Sequence, residues 1–573
     1  MAPQRSYQDL DDDDDANPPR NSPGPNRQDY GAQQMAAMSA HMTKFNQFGL
    51  LCSIFLLACA YTLCNILASV YEPTATASFQ NHSFFVTIST IHAAVSLGAM
   101  TTVGRLTDLV GRPAIVVASL ALMPLGLVIQ ATANNVIPFA VGVALYQLGL
   151  TCIILAIYII IADITSLRSR VFCYYIPALP ALINTWTAGN ISSVVLKNTT
   201  WRWGIGMWAL IYPVAAMPFL CCLWAGLRRV RRASAAPSPP KPRTSEPRGG
   251  SWPFLVSLFW QLDTVGNLLL IAALNLILLP LCSARRASWN SPGIIAPLVF
   301  GVLTLLVWVR WEMRCKQPLV PFKLLKDRAI WPAFLMALLF DTSHALQGSF
   351  LYTHLVVALG ESVMSATRIT ALYKFVIALM GSLIGLAAYF KLRRLKLLII
   401  VGNVLFTVGF GVLAYVRGSV SLSSHINIIV SQVFLGIGGS MFVYPIQVNV
   451  QAACRRENVA AVMSLFFCCN CMGIALGNAI AGTIWNQLLP GLLNDALGNS
   501  GEAQSAFADP FTFAKSHPLG TSERDAVAMS YAQVQRVICL VGVGTAALQV
   551  VFALIIRGPK LGEWRDASGV RTD

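Results

Sequence analysis

The chain has 573 residues, of which 55% are hydrophobic and only 12% charged, and it carries a formal net charge of +16. Soluble domains carry about 25% charged residues, so a chain of this length and apolarity is excluded from water unless lipid covers it. Its basic residues sit in short clusters between apolar runs rather than along one face, which is the pattern of membrane topology and not of a nucleic-acid track.

Residues 1–46 are rich in Asp, Pro, Asn and Gln, include the run Asp11–Asp15, and are expected to form a disordered acidic cytoplasmic tail. The first apolar run begins near Phe48 and is too long for a signal-peptide core, so an uncleaved anchor is expected. Fourteen runs long enough to cross a bilayer as helices follow, near 48–70, 83–103, 113–132, 136–161, 174–195, 205–226, 263–282, 293–310, 329–357, 366–389, 396–416, 424–449, 459–486 and 532–556. With the N-terminal tail inside, the predicted inner loops hold 23 Lys and Arg and the outer loops seven. That asymmetry satisfies the positive-inside rule and places both ends in the cytoplasm.

Composition also divides the chain. A six-helix bundle is expected over 47–227, and a basic, Pro-rich cytoplasmic linker over 228–252. Two extra helices follow at 253–310, then a second six-helix bundle at 311–560 and a cytoplasmic tail at 561–573. Residues 487–530 form a long outer loop, too polar to span and long enough to cap a site. Sequons at Asn81 and Asn198 fall on the predicted outside, whereas a third at Asn190 falls within a span. Most of the 14 cysteines lie in apolar runs and read as packing residues, and Cys468, Cys469 and Cys471 do not have zinc-ligand spacing. No disulfide framework, bound metal or cofactor is expected.

The turn between the second and third spans reads Gly104-Arg105-Leu-Thr-Asp108-Leu-Val-Gly111-Arg112-Pro113. It resembles the cytoplasmic G-x-L-x-D-x-x-G-R motif of the major facilitator superfamily. The glycines permit a tight interhelical turn, and Asp108 can take hydrogen bonds from a helix end or pair with an arginine, so the segment can latch one state of a transport cycle.

Longer stretches narrow the resemblance. Thr200-Trp-Arg-Trp-Gly-Ile-Gly-Met-Trp208 is similar to an outer corner of fungal siderophore–iron transporters. So are Ile161-Ala-Asp163-Ile-Thr-Ser-Leu-Arg168-Ser-Arg170, Pro318-Leu-Val-Pro321 running on to Arg328, and the last outer loop with Asp509, Pro510, Gly520, Thr521 and Arg524. The resemblance covers about residues 48–560. It implies an all-α major facilitator fold of two six-helix bundles plus two extra helices. It also implies proton-coupled uptake of ferric chelates. A monomer is expected, with the plasma membrane as default because no targeting signal is decisive, and endosomal or vacuolar membranes as alternatives. A chelator already saturates its iron, so the cavity needs aromatic and amide groups rather than metal ligands, and Tyr61, Tyr175, Asn184 and Trp186 are its candidates.

Proton coupling needs an ionisable group inside the membrane, where a charge costs about 2.5–3.5 kcal/mol on insertion scales. Asp341, His344, Gln347 and His354 share one face of the ninth span at 100° per residue, and Asp341, His344 and His354 are the proton-coupling candidates. Asp163, beside Arg168 and Arg170, reads as a structural ion pair, while Lys374 is free to pair with an acid or to snorkel. Two departures from the family pattern matter. Tyr61-Thr-Leu63-Cys64 stands where Tyr-x-Leu-Asp is usual, and Leu346-Gln347 stands where Trp-Asp is common. Proton-coupled efflux of a drug, toxin or glutathione-like compound is the alternative. Its usual Gly-Pro-x-x-Gly-Gly-like signature is replaced here by Pro177-Ala-Leu-Pro180. A membrane enzyme is disfavoured, because the chain has neither a nucleophile elbow nor a phosphate loop.

Overall fold

In a bilayer every backbone amide must be satisfied within its own segment, so long apolar runs fold as helices. The computed structural model describes residues 30–79, 85–233, 256, 259–283, 291–315, 327–390, 395–416, 422–454, 459–498, 500–508, 510–558, 564–565 and 571–572. Its first half contains α1 (Tyr30–Ala40), α2 (Lys44–Ser78), α3 (Phe85–Val110), α4 (Arg112–Thr132), α5 (Val136–Ile164), α6 (Leu167–Cys173), α7 (Ala181–Asn198), α8 (Trp201–Gly206) and α9 (Trp208–Ala233). A hairpin of α10 (Thr264–Ser283) and α11 (Pro292–Arg314) follows. The second half contains α12 (Trp331–Gly348), α13 (Val363–Phe390), α14 (Lys396–Val416), α15 (Leu422–Ala452), α16 (Val459–Leu497), α17 (Ser500–Ala508), α18 (Pro510–Ser516) and α19 (Ser522–Ile555). Trp564–Arg565 and Arg571–Thr572 pair as a two-residue antiparallel ribbon in the C-terminal segment.

Ten helices among the described residues are long and apolar enough to cross a membrane. The other four predicted spans coincide with α3, α7, α10 and α12, which are more polar, shorter or interrupted. The run predicted at 174–195 is not one helix: Pro177 and Pro180 force a 3-10 turn at Ile176–Ala178 before α7 begins. The run predicted at 329–357 also breaks. α12 stops at Gly348, and a π-helical turn, His354–Ala358, completes the span. Residues 30–40, expected to be disordered, form α1, which packs on α3, α5 and α9 with Met35 and Met38 fully buried.

Helices α2, α3, α4, α5, α7 and α9 form one bundle, and α12, α13, α14, α15, α16 and α19 a second. The tightest pair in each repeats the same device. Gly126 and Gly142 bring α4 and α5 into backbone contact, as Gly402 and Gly438 do for α14 and α15, and a methyl at Gly142 or Gly438 would lie 2.8 Å from the facing carbonyl. The bundles meet along two seams, α3 on α16 and α6–α7 on α13. Burial identifies the peripheral element: α5 is buried along most of its length, whereas α11 buries only Ile294, Gly301 and Glu312 and turns Phe300, Leu303 and Leu306 outward.

The segment predicted as an outer loop is more helical than polarity foretold. α16 continues to Leu497, past the predicted end at 486, and α19 begins at Ser522 rather than near 532. Thr521 caps α19 by accepting from the Arg524 amide at 3.4 Å, with Glu523 and Asp525 in the first turn. Trp485, Leu489, Leu493, Ala506, Phe513 and Tyr531 give this region its own apolar core.

Candidate functional site

The motif between α3 and α4 closes on itself. Gly111 takes φ 96°, a left-handed conformation suited to glycine, and reverses the chain so that Arg112, 2% exposed, turns inward. Its guanidinium lies 2.9 Å from Asp108 Oδ1 and 3.0 Å from Asp163 Oδ2, and donates to the Thr107 carbonyl at 3.1 Å. A cation at a helix N-terminus opposes the macrodipole, and the two carboxylates offset that cost. Asp163 on α5 is thus the partner of Arg112, a pairing that sequence proximity to Arg168 and Arg170 had obscured. Gly104 faces the Ser464 side chain on α16, and Ser464 donates to the Met100 carbonyl across the seam. Arg105, beside the same seam, donates to the Gln261 carbonyl just ahead of α10 at 3.4 Å.

A second lock joins the bundles at the same, basic end of the molecule. Arg170, 2% exposed, donates to Gln451 Oε1 at 2.9 Å and to the carbonyls of Ala162 and Thr165. The Gln451 amide donates in turn to the Tyr174 hydroxyl at 2.5 Å. Tyrosines form a plate next to this lock. Tyr158 stacks on Tyr444 with centroids 6.1 Å apart and donates to its hydroxyl at 3.3 Å. Tyr175 meets Tyr444 edge-on at 4.6 Å and donates to the Ser440 carbonyl. Tyr61 is buried and close enough to Tyr444 to interact electrostatically. Tyr61 and Tyr175 are therefore brought together. Tyr158, Tyr174, Tyr444 and Gln451 were missed, although the polar alternation Gln447-Val-Asn449-Val-Gln451 inside an apolar run was their signal.

The other two cavity candidates lie apart from the plate. Asn184 is 2% exposed and donates to Thr62 Oγ1 at 2.7 Å and the Cys59 carbonyl at 3.3 Å, which ties α7 to α2. Trp186 is 47% exposed on the α7–α13 seam, edge-on to Phe375 at 6.1 Å and under the Arg368 guanidinium at 5.4 Å.

In the second bundle, Asp341 and His344 of α12 meet Tyr373 and Lys374 of α13. The His344 ring lies 5.1 Å from that of Tyr373, and Asp341 and His344 both feel the charge of Lys374. Tyr373 in turn lies within electrostatic reach of Asp341, so the four residues form one group across α12 and α13. Gln347 lies farther along and accepts from Gln432 at 2.9 Å. His354 lies beyond the break at Gly348, buried in the π-helical turn against α19, away from Asp341. In the first bundle Glu72, 5% exposed, sits 3.6 Å from His92 Nε2.

From the predicted outer loop, Arg524 reaches that π-helical turn. Arg524, 3% exposed, donates to the Val356 carbonyl at 3.2 Å, and Thr521 Oγ1 donates to the Pro518 carbonyl at 3.0 Å. Gly520 turns with φ 93°, and Pro510 opens α18. Asp509 and Asn81 lie outside the described residues, while Asn198 is exposed at the end of α7. Among the described residues no group of three or more His, Cys, Asp or Glu is placed to hold a metal ion.

Two helical bundles meeting along two seams define a membrane transporter of the major facilitator class. Residues 50–478 match the family profile described as Major Facilitator Superfamily. The peptide transporter POT, solved in complex with sulfate, superposes with a TM-score of 0.54 at 16% identity, covering 91% of this chain and 99% of that one, a likeness of fold alone. The chain is 36% identical to Siderophore iron transporter 1 of Saccharomyces cerevisiae over 89% of its own length and 81% of the relative's. It is 34% identical to Siderophore iron transporter ARN1 of the same yeast, over 91% and 83%. The chain belongs to the Major Facilitator Superfamily and, within it, to the fungal siderophore iron transporter family, whose members are transporters and not enzymes.

Proposed function

We propose that this chain takes up ferric siderophore chelates by proton symport, alternating between outward-open and inward-open states, as a fourteen-span monomer with both ends in the cytoplasm. The observation that carries the coupling is the group formed by Asp341, His344 and Lys374 between α12 and α13. A carboxylate and an ammonium held at mid-membrane are costly unless they pair, and protonating either carboxylate or imidazole changes that pairing. Proton arrival at Asp341 removes the negative charge that Lys374 feels, and proton departure restores it. The group thereby links occupancy by a proton to the spacing of α12 and α13. The tyrosine plate supports the cargo reading, since flat aromatic faces with hydroxyl rims suit a bulky polar chelate.

The test is uptake of a panel of radiolabelled ferric siderophores by yeast cells lacking their own transporters, with and without a protonophore. Wild-type protein is expected to accumulate at least one chelate in a protonophore-sensitive way. Asp341→Asn is expected to cut that accumulation at least tenfold at equal surface expression. Intact, protonophore-sensitive accumulation in D341N removes Asp341 from the coupling step. Absence of uptake of every chelate by a correctly delivered wild-type protein transfers the reading to efflux.

A further inference from the structure

The α10–α11 hairpin lies outside both bundles, yet it is fastened to the gate more firmly than a lipid-facing appendage requires. Asn267 on α10 is 7% exposed and uses its whole amide on α3. Its Nδ2 donates to the Gly98 carbonyl at 2.9 Å and to Thr102 Oγ1 at 2.7 Å, and its Oδ1 accepts from Thr101 Oγ1 at 2.6 Å. One turn along α3, the Arg105 guanidinium of the inner motif donates to the Gln261 carbonyl at 3.4 Å and interacts with the carboxylates of Asp263 and Glu312. Both acids are almost fully buried, at 2% and 1% exposure, on a hairpin whose outer face is apolar. Asp263 adopts φ 45°, the one non-glycine residue with positive φ among the described residues, and its Oδ1 accepts from the Trp311 indole at 2.9 Å and the Gly266 amide at 3.2 Å. A strained backbone and two buried carboxylates persist only where surrounding bonds over-determine them.

The same α10 also rests on α16, which belongs to the opposite bundle. It therefore spans the α3–α16 seam where Gly104 meets Ser464 and where Thr101, Arg105, Ala461 and Ser464 line a small cleft. We infer that the two extra helices are a gate strap: Asn267, Asp263 and Glu312 bolt the hairpin to α3, and α10 braces the inner seam in its closed state. Inward opening parts α3 from α16, so the hairpin travels with α3 and must slide off α16. Asn267, Asp263 and Glu312 are positioning residues that set the ratio of closed to open seam without touching cargo.

This inference rests on the alternating-access reading above, and its test is run with no cargo and no pH gradient, so a wrong cargo leaves it intact. A reporter cysteine, Ala461→Cys, is placed in the seam cleft. Its reaction with a membrane-impermeant maleimide from the cytoplasmic side is timed in permeabilised cells, over the background of the chain without it. Asn267→Leu is expected to accelerate labelling about tenfold, since it removes three buried hydrogen bonds that hold the strap. Glu312→Gln keeps the side-chain volume and is expected to accelerate it at least threefold, and it decides the matter if N267L fails to reach the membrane. The conservative Asn267→Gln is expected to fall between wild type and N267L. Labelling of a surface-expressed N267L or E312Q within twofold of wild type overturns the inference and makes the hairpin a passive addition.

Discussion

Replacing Gln451 by Leu isolates the inter-bundle lock, because the side chain keeps its approximate volume and loses both polar atoms. Two cross-bundle bonds disappear, one to the Arg170 guanidinium at 2.9 Å and one to the Tyr174 hydroxyl at 2.5 Å. A bond to a charged group contributes about 1.5–3 kcal/mol and a neutral one about 1 kcal/mol. Arg170 keeps its bonds to the Ala162 and Thr165 carbonyls within its own bundle, so the loss lies toward the low end, about 2 kcal/mol. These bonds exist only while the inner ends of α6 and α15 touch, so the whole loss falls on the closed state and shifts the closed-to-open ratio about thirtyfold. Spin labels at Val110→Cys and Leu397→Cys, exposed sites at the inner ends of α3 and α14, report this as a distance distribution. The exposed Cys52 and Cys221 are replaced by serine beforehand. A longer-distance population is expected to grow in Q451L at the expense of the wild-type peak. A ratio unchanged within twofold refutes the reasoning, since the lock would then contribute nothing to gate closure.

Three further outcomes follow from contacts elsewhere. Gly104→Val places a branched side chain on Ser464, so the seam cannot close; transport is expected to fall at least tenfold at equal expression, with partial recovery in G104V/S464G. Asp163→Asn leaves the buried Arg112 with Asp108 alone, at a cost of about 1–2 kcal/mol, whereas removing both acids costs about 3–5 kcal/mol. A thermal-unfolding series in detergent on D163N, D108N and the double variant checks that the double loss exceeds the sum of the single ones. Trp485→Ala removes the ring stacked 4.1 Å from Phe350 and edge-on to Tyr531, a loss of about 3–5 kcal/mol. Added protease is expected to cleave the segment from Gly498 to Gly520 in W485A well before wild type.

The length and apolarity of the runs made the helical skeleton legible, because a bilayer leaves the backbone few choices. The breaks were legible only in part. Pro177 and Pro180 announce a turn by lacking an amide, but nothing as blunt marks the end of α12: Gly348 and Ser349 lower helix propensity modestly, and the decisive event is tertiary. There Phe350 leaves the helix axis to stack on Trp485, and Ser349 donates to Asn478 at 2.9 Å. A helical wheel drawn through that break placed His354 on the face of Asp341, an arrangement the chain does not have. The cap of α19 was visible in Thr521-Ser-Glu523-Arg524-Asp525, an N-cap residue followed by first-turn acids, and polarity alone hid it as loop.

The contacts around the α3–α4 turn and between the bundles were harder to see for a physical reason. Each of these bonds joins residues far apart in the chain: Arg112 to Asp163, Arg170 to Gln451, Ser464 to Met100. A sequence displays what each residue costs in a membrane, not which partner offsets that cost. The cost was nevertheless informative. Gln447, Asn449 and Gln451 in one apolar run, and Asp263, Asn267 and Glu312 around the extra helices, are all polar side chains that a lipid-facing helix would shed, and all of them are buried. The same logic bears on the acids that the first and ninth spans lack. Cys64 is buried where the family pattern has Asp, and Gln347 is spent on Gln432, so neither position holds a charge. Two carboxylates face a basic group on a neighbouring helix: Asp341 lies within electrostatic reach of Lys374, and Glu72 lies 3.6 Å from His92. We read these two groups as a displacement of intramembrane charge from the two positions that lack an acid. Asp341→Asn and Glu72→Gln in the same uptake assay separate the two pairs: the one whose loss abolishes protonophore-sensitive accumulation carries the proton, and equal tolerance of both refutes the displacement.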